Sequence, residues 1–203
     1  MIEAGSQESR DKMRIEEVGN QESGIKKKTI FLLASLLLTS YLYSFSQTKR
    51  NLDFFTTQHQ FYLCDSAFTG TTGDTTFWNN DAQMARLGTT EDIIGIKIAS
   101  FGHVKAELNV LHTADTEKDF GKYDHVVEGS VKLSSGIMEV LNFPDTKIIL
   151  KAIVTPGRYR VRIYSYAIKN VNPEDDEGTD HYKITLWPGE GRERKVLKAF
   201  KEE

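Results

Sequence analysis

The chain has 203 residues, of which 26 are Lys or Arg and 29 are Asp or Glu, so its net charge at pH 7 is −3. This near balance gives no general attraction to nucleic acid or to anionic lipid. The length suffices for one ordinary domain with a sizeable hydrophobic core, and the single cysteine, Cys64, excludes an internal disulfide.

The first feature along the chain is an export signal. Three lysines, residues 26–28, precede an uncharged apolar segment, residues 29–45, and Ser46 follows. This order is typical of a secretory signal peptide, so we expect cleavage after Ser46 and a periplasmic or extracellular protein. The alternative is an uncleaved single-span anchor, which would be the chain's one contact with a membrane. A helix of about 17 residues covers only about 26 Å of a hydrocarbon core of about 30 Å, which favours cleavage.

Residues 1–46 are therefore set apart as an N-terminal extension and signal peptide, and residues 47–57 are interpreted as a polar leader. A first strand is predicted over Gln58–Cys64, in which Cys64 is interpreted as a small buried hydrophobe. One short helix follows, with Asn80 as its N-cap and Gly88 as its end.

Beyond this helix the apolar residues recur with a period of two, which is typical of half-buried strands. Strands are predicted over 94–98, 104–110, 126–133 and 137–141. The short linker Ser134-Ser135-Gly136 favours a hairpin between the last two of them.

Residues 148–168 predict a second hairpin, because Pro156 and Gly157 occupy the central positions of a type II turn. In its second arm Tyr159, Val161 and Ile163 share one face and the arginines share the other, a pattern that excludes burial on both faces. The last strand is predicted over 181–187. We therefore predict an all-β fold over 58–203, an antiparallel sandwich or flattened barrel of seven to eight strands with one short helix.

The arginine face is the predicted binding site. Guanidinium groups at alternating strand positions lie about 6.8 Å apart and could bind carboxylates or phosphates. Mixed aromatic and basic composition is also typical of protein interfaces. The alternative is a solvated sheet face with cross-strand glutamate partners, in which the tryptophan is a core or edge residue. The predicted binding residues are Arg158, Arg160, Arg162, Tyr164, Tyr166 and Trp187.

The sequence offers little support for metal, cofactor or catalytic chemistry. The five histidines are scattered at positions 59, 103, 112, 125 and 181 without the spacing of a zinc site, so no metal and no cofactor is predicted. No GxSxG motif marks a nucleophile, and we expect a non-enzyme. A carboxylate pair has no local signature, so a hydrolase remains an alternative. A small-ligand or glycan-binding module, with Trp78 and Trp187 stacking on sugar rings, is another.

Four segments are similar to the competence protein J family of bacterial nuclease inhibitors: HQFYLCD at 59–65, Trp78 before the short helix, VKLSSGIMEVL at 131–141 and TPGRYRVRIYSY at 155–166. The resemblance implies a small non-catalytic β-sandwich that binds another protein, for example neutralising a toxin or nuclease as an immunity protein does. Together with the export signal, it implies a protein target in the envelope or outside the cell. No nucleic-acid partner is predicted.

Overall fold

The computed structural model describes residues 48–73, 76–169, 171–172, 174, 176–191 and 193–201. The predicted signal peptide and its cleavage site lie outside these residues, so export stays a prediction. Across the described ranges, no helix combines the length and the apolar character needed to cross a membrane.

The described residues form eleven strands and one short helix. In chain order these are β1 (Thr48–Phe55), β2 (Gln60–Asp65), α1 (Asn80–Ala85), β3 (Leu87–Thr89), β4 (Ile93–Lys97), β5 (His103–Val110), β6 (His125–Leu133), β7 (Ile137–Leu141), β8 (Ile148–Ile153), β9 (Gly157–Tyr166), β10 (His181–Pro188) and β11 (Lys195–Lys198). One sheet has the order β1-β5-β10-β9-β6-β11 and the other the order β3-β4-β2-β7-β8. All neighbours are antiparallel except β5 and β10, which are parallel. The predicted all-β sandwich with one short helix is confirmed, with more strands than predicted.

The main hydrophobic core lies between the two sheets and follows the period-two patterns of the sequence. In β5 the inward residues are Val104, Ala106 and Leu108, and in β10 Ile184 and Leu186 are fully buried. The facing sheet contributes residues from β2, β4 and β7, including Phe61, Leu63, Ile94, Ile96, Met138 and Val140. Alternation along each strand therefore sets which side chains enter the core.

A second apolar cluster covers the outer side of the five-stranded sheet. Tyr62 and Cys64 alternate with the inward residues of β2 and pack with Phe77 and Ile93. Burial raises the pKa of the Cys64 thiol to about 12, with smaller contributions from neighbouring carboxylates. The interpretation of Cys64 as a buried hydrophobe is confirmed. Gly95 is needed here, because a Cβ at this position would lie 2.6 Å from the Trp78 ring.

Both predicted hairpins are wrong. Strands β6 and β7 flank the short linker at 134–136 but lie in different sheets, and so do β8 and β9 around Pro156. The two turns carry the chain from one sheet to the other. A strand with one inward face has the same alternating pattern whether its neighbour in sequence lies beside it or across the core, so the local pattern could not separate these cases.

Three local predictions also need correction. Residues 48–55 form strand β1, paired with β5, and not part of a polar leader at 47–57. The strand is polar because it is an edge strand that buries only one fully inward side chain, Leu52. Helix α1 is capped by Asn79 and not by Asn80, since Asn79 Oδ1 accepts a hydrogen bond from the Ala82 backbone N–H at 2.9 Å. The last residue of the helix is Ala85, its C-cap is Arg86 with a left-handed φ of 56°, and Gly88 lies within β3.

Candidate functional site

All six predicted binding residues lie on the outer face of the six-stranded sheet. In β9 the arginines and the two tyrosines alternate with inward residues, as predicted, and Trp187 of β10 lies directly opposite Arg160. Their exposure is far lower than expected. Arg158 is exposed and Tyr166 is half-buried, whereas the other four are nearly inaccessible to solvent: Arg160 at 6%, Arg162 at 9%, Tyr164 at 0% and Trp187 at 7%.

The conclusion that β9 cannot be buried on both faces is therefore wrong. A loop of residues 111–124, here called the covering loop, connects β5 to β6 and packs on the outer face of β9 and β10. Its Glu117 backbone carbonyl accepts a hydrogen bond from Arg162 Nη1 at 3.0 Å. From β11, Lys198 Nζ donates to the carbonyls of Phe120 and Tyr123. Burial of the arginines is tolerated because carboxylates neutralise them.

Glu128 of β6 is the first of these carboxylates. It lies opposite Arg162 across the β6–β9 pair. Its Oε2 lies 2.6 Å from Arg160 Nη2, and its Oε1 lies 2.6 Å from Arg162 Nε and 2.5 Å from Arg162 Nη2. Burial opposes ionisation of Glu128, but the hydrogen bonds from both arginines outweigh it and lower the pKa of the carboxyl. The alternative prediction of a cross-strand glutamate partner is thus correct, although the face is not solvated.

Asp115 is the second carboxylate and fixes the covering loop to the sheet. Its Oδ2 accepts hydrogen bonds from the Tyr164 hydroxyl at 2.7 Å and the Thr185 hydroxyl at 2.8 Å. Its Oδ1 accepts the Glu117 backbone N–H at 3.0 Å and lies 3.7 Å from Arg162 Nη1. Burial alone would raise the pKa of Asp115, but these donors lower it. One side chain therefore joins the loop, β9 and β10.

Aromatic rings enclose the centre of this network. The Arg162 guanidinium carbon lies 5.4 to 5.8 Å from the ring centroids of Phe120, Tyr164 and Trp187, within cation–π range. Trp187 is thus part of a buried stack and is not an exposed platform. Trp78 is half-buried and packs edge-on against Phe77 at 5.4 Å. The glycan-binding alternative required exposed tryptophans, but Trp187 is buried and Trp78 is half-buried.

Two grooves on this face are lined in part by residues of the covering loop. The first, here called the lysine groove, has a volume of about 580 Å³ and is lined by residues that include Lys49, Glu107, Asn109, Asp115 and Lys183. The second, here called the arginine groove, has a volume of about 350 Å³ and is lined by residues that include Glu117, Lys118, Phe120, Glu128, Arg160 and Arg162. Both are mixed in charge, so each can contact cations and anions of a partner.

The carboxylates that line the two grooves can accept hydrogen bonds from cationic side chains. Hydrogen bonds lower the pKa of Glu107 and Glu117, as they do for Asp115 and Glu128. A general acid needs the opposite shift, so none of these four carboxyls is poised to donate a proton. In the part of the chain that the structure describes, no group of three or more His, Cys, Asp or Glu side chains is placed to hold a metal ion.

Asp115, Glu128 and Thr185 are part of this network but were not among the predicted site residues. Glu128 could have been recognised only from the pairing of β6 with β9, because it lies 34 residues from Arg162 along the chain. Asp115 lies in a segment without periodicity, 49 residues before Tyr164. Neither carries a local motif.

The fold and this face define a two-layer β-sandwich whose outer sheet surface is polar and covered by a loop. No protein-family model matches the sequence, and the search of curated proteins found no relative. Among solved structures, the chain is similar to ComJ from Bacillus subtilis, described as an inhibitor of the DNA degrading activity of NucA. The TM-score is 0.55 at 13% sequence identity, covering 71% of this chain and 100% of that chain.

A second similar structure is described as crocagin biosynthetic gene J. It has a TM-score of 0.46 and 15% identity, covering 72% of this chain and 100% of that chain. The likeness to ComJ shows a shared fold and confirms, at the level of the fold, the resemblance to the competence protein J family seen in the sequence.

Proposed function

We propose that the protein is a non-catalytic inhibitor that binds a protein partner, and that this partner is a nuclease acting outside the cytoplasm. The observation that carries the proposal is the likeness in fold to ComJ, which is described as the inhibitor of a DNA-degrading activity. The lowered pKa values of the groove carboxyls support binding over acid catalysis. The lysine-led apolar segment at 26–45 supports the location of the partner.

In this proposal the contact surface is the outer face of the six-stranded sheet. Arg158 and Tyr166 are its accessible members, and Arg160 and Arg162 form part of the floor of the arginine groove. Tyr164 and Trp187 hold that floor in place. Because Glu128 and Asp115 already fix these side chains, a partner would bind them without a large loss of side-chain entropy.

The experiment uses the immobilised full chain and the extracellular protein fraction of the source organism. We expect the wild-type chain to deplete DNA-degrading activity from this fraction. The double variant Arg158→Ala, Tyr166→Ala should retain at most about a tenth of this capacity, since exposed arginine and tyrosine side chains are frequent binding anchors. A matched control, Lys147→Ala with Met84→Ala, removes one exposed cation between β7 and β8 of the other sheet and one exposed apolar side chain on α1, and it should behave as wild type. Undiminished activity in the fraction after passage over the wild-type chain would contradict the proposal.

A further inference from the structure

Strand β8 is an open edge of the five-stranded sheet. It pairs with β7 on one side, and no described strand pairs with its other side. Its side chains are unusually apolar for such a position. Ile153 is 91% exposed and lies opposite Ile137, which is 37% exposed, while Ile148 at the other end of the strand is 43% exposed. Exposed, apolar edge strands are normally avoided because they attract another strand.

The hydrogen bonds next to β8 show which backbone groups face outward. The Val154 N–H donates to the Gly136 carbonyl at 2.9 Å, so residue 154 is bonded towards β7. In an antiparallel pair the bonded residues alternate, which turns the N–H and C=O groups of Lys151 and Ile153 away from β7. Consistently, the carbonyl of Ile137, opposite Ile153, accepts from the Ser66 N–H at 2.9 Å on the other side of β7.

We infer that the β8 edge accepts an extended segment of a partner protein in which an apolar residue and a carboxylate stand two positions apart, because Ile153 and Lys151 lie on the same face of the sheet. The segment would pair with the outward backbone groups of Lys151 and Ile153, as in recognition by strand addition. Its apolar residues would cover Ile153 and Ile137. This inference goes beyond the proposed function, which concerns the other sheet.

The charges at the β8 edge indicate which side chains a paired segment would carry. The edge carries Lys147 and Lys151, and the neighbouring carboxylate, Glu139, lies 2.7 Å from Lys151 within the same sheet. A symmetric antiparallel pairing of two copies centred on residue 151 or 152 would place Lys151 of one copy opposite or diagonal to Lys151 of the other, within about 8 Å. Such self-pairing gathers like charges, whereas a strand with a glutamate opposite Lys151 places opposite charges side by side.

The test uses the full chain and two fluorescently labelled synthetic peptides, one with the repeat Val-Thr-Glu-Thr and one with the repeat Val-Thr-Lys-Thr, so that the valines and the charged residues share one face. Titrations are followed by fluorescence anisotropy. We expect the glutamate peptide to bind at least about tenfold more tightly than the lysine peptide. The Ile153→Pro variant removes an outward N–H that β7 does not use, and it should weaken binding of the glutamate peptide by about tenfold or more. Met84→Ala, at an exposed apolar residue on α1, is the control and should bind as wild type.

A second variant tests the same edge without a proline, in case Ile153→Pro does not fold. The exchange Lys151→Glu with Glu139→Lys preserves the pair within the sheet but places the carboxylate on the edge strand, so it should reduce the preference for the glutamate peptide. Equal binding of both peptides by the wild-type chain, or an unchanged preference after the exchange, would overturn the inference. So would a dimer of the wild-type chain that Ile153→Pro dissociates in sedimentation, because the occupant would then be a second copy. None of these results affects the nuclease proposal, whose test uses Arg158 and Tyr166.

Discussion

Glu128 and Arg162 face each other across β6 and β9 with Arg162 Nη2 2.5 Å from Glu128 Oε1, and both side chains are about nine-tenths removed from solvent. This ion pair changes the interpretation of Arg158, Arg160 and Arg162, here called the arginine row. Two of its three members are buried against Glu128, Arg162 also bonds the covering loop, and only Arg158 lies in the open. A binding role for the row has to act through its exposed end and through the arginine groove.

Replacing Glu128 by Gln should destabilise the fold by roughly 2 to 4 kcal/mol, because it removes the carboxylate that is hydrogen-bonded to both Arg160 and Arg162 and leaves Arg162 only the more distant Asp115, at 3.7 Å. Urea denaturation followed by circular dichroism measures this change. The control is Glu91→Gln, which removes the partner of exposed Arg158 and should leave the midpoint nearly unchanged. Equal midpoints for both variants would show that the Glu128 network contributes no more than a surface pair.

Stability should fall in acid through Asp115 and Glu128. The pKa values of both carboxyls are lowered in the folded state from ordinary values of 3.8 and 4.5. The unfolded state therefore binds more protons, so their contribution is complete above about pH 5 and is lost as the pH falls through the folded pKa values. The free energy of unfolding at pH 3 and pH 7 measures this loss. For Asp115→Asn the destabilisation relative to wild type should be large at pH 7 and smaller at pH 3, and a constant difference would argue against ionised Asp115.

Gly95→Ala should destabilise the protein by roughly 1 to 3 kcal/mol through overpacking. The new Cβ would lie 2.6 Å from the Trp78 ring and 2.8 Å from the Phe77 ring. Thermal unfolding gives the change in stability, and tryptophan fluorescence should report displacement of Trp78. Gly73→Ala is the matched control, since among the described residues no atom beyond its chain neighbours lies within 4 Å of its Cβ position, and it should leave both signals unaltered.

Cys64 should be unreactive towards a thiol reagent in the native protein at pH 8. The side chain is 1% exposed, and burial raises the thiol pKa to about 12, so very little of the reactive thiolate is present. The reaction should become rapid once denaturant unfolds the chain. Rapid labelling without denaturant would show that the cluster around Tyr62 and Phe77 opens easily.

Much of the fold could be predicted from periodicity alone. The inward residues Val104 and Leu108 of β5, and Ile184 and Leu186 of β10, were identified because burial of one sheet face imposes a period of two. The pairing of strands could not be obtained in this way. Turn residues at 134–136 and 155–157 indicate a reversal of the chain, but they do not say whether the next strand joins the same sheet.

The sequence predicts which residues share a face at the site, but not whether those residues are buried. That Arg158, Arg160 and Arg162 share a face follows from strand geometry, and this prediction is correct. That Arg160 and Arg162 are covered depends on Asp115 in the covering loop and on Glu128 in a strand that is distant in sequence. Tertiary contacts of this kind join residues that are far apart along the chain, so no local pattern in a single sequence predicts them.

Inhibition of a nuclease is measured most directly as the rate of DNA degradation by the extracellular protein fraction of the source organism while purified full chain is added. We expect this rate to fall with increasing concentration of the chain until it saturates, and we expect Arg158→Ala with Tyr166→Ala to shift the curve to higher concentration. A rate of DNA degradation that stays constant at all concentrations of the wild-type chain would show that the protein does not inhibit the nuclease.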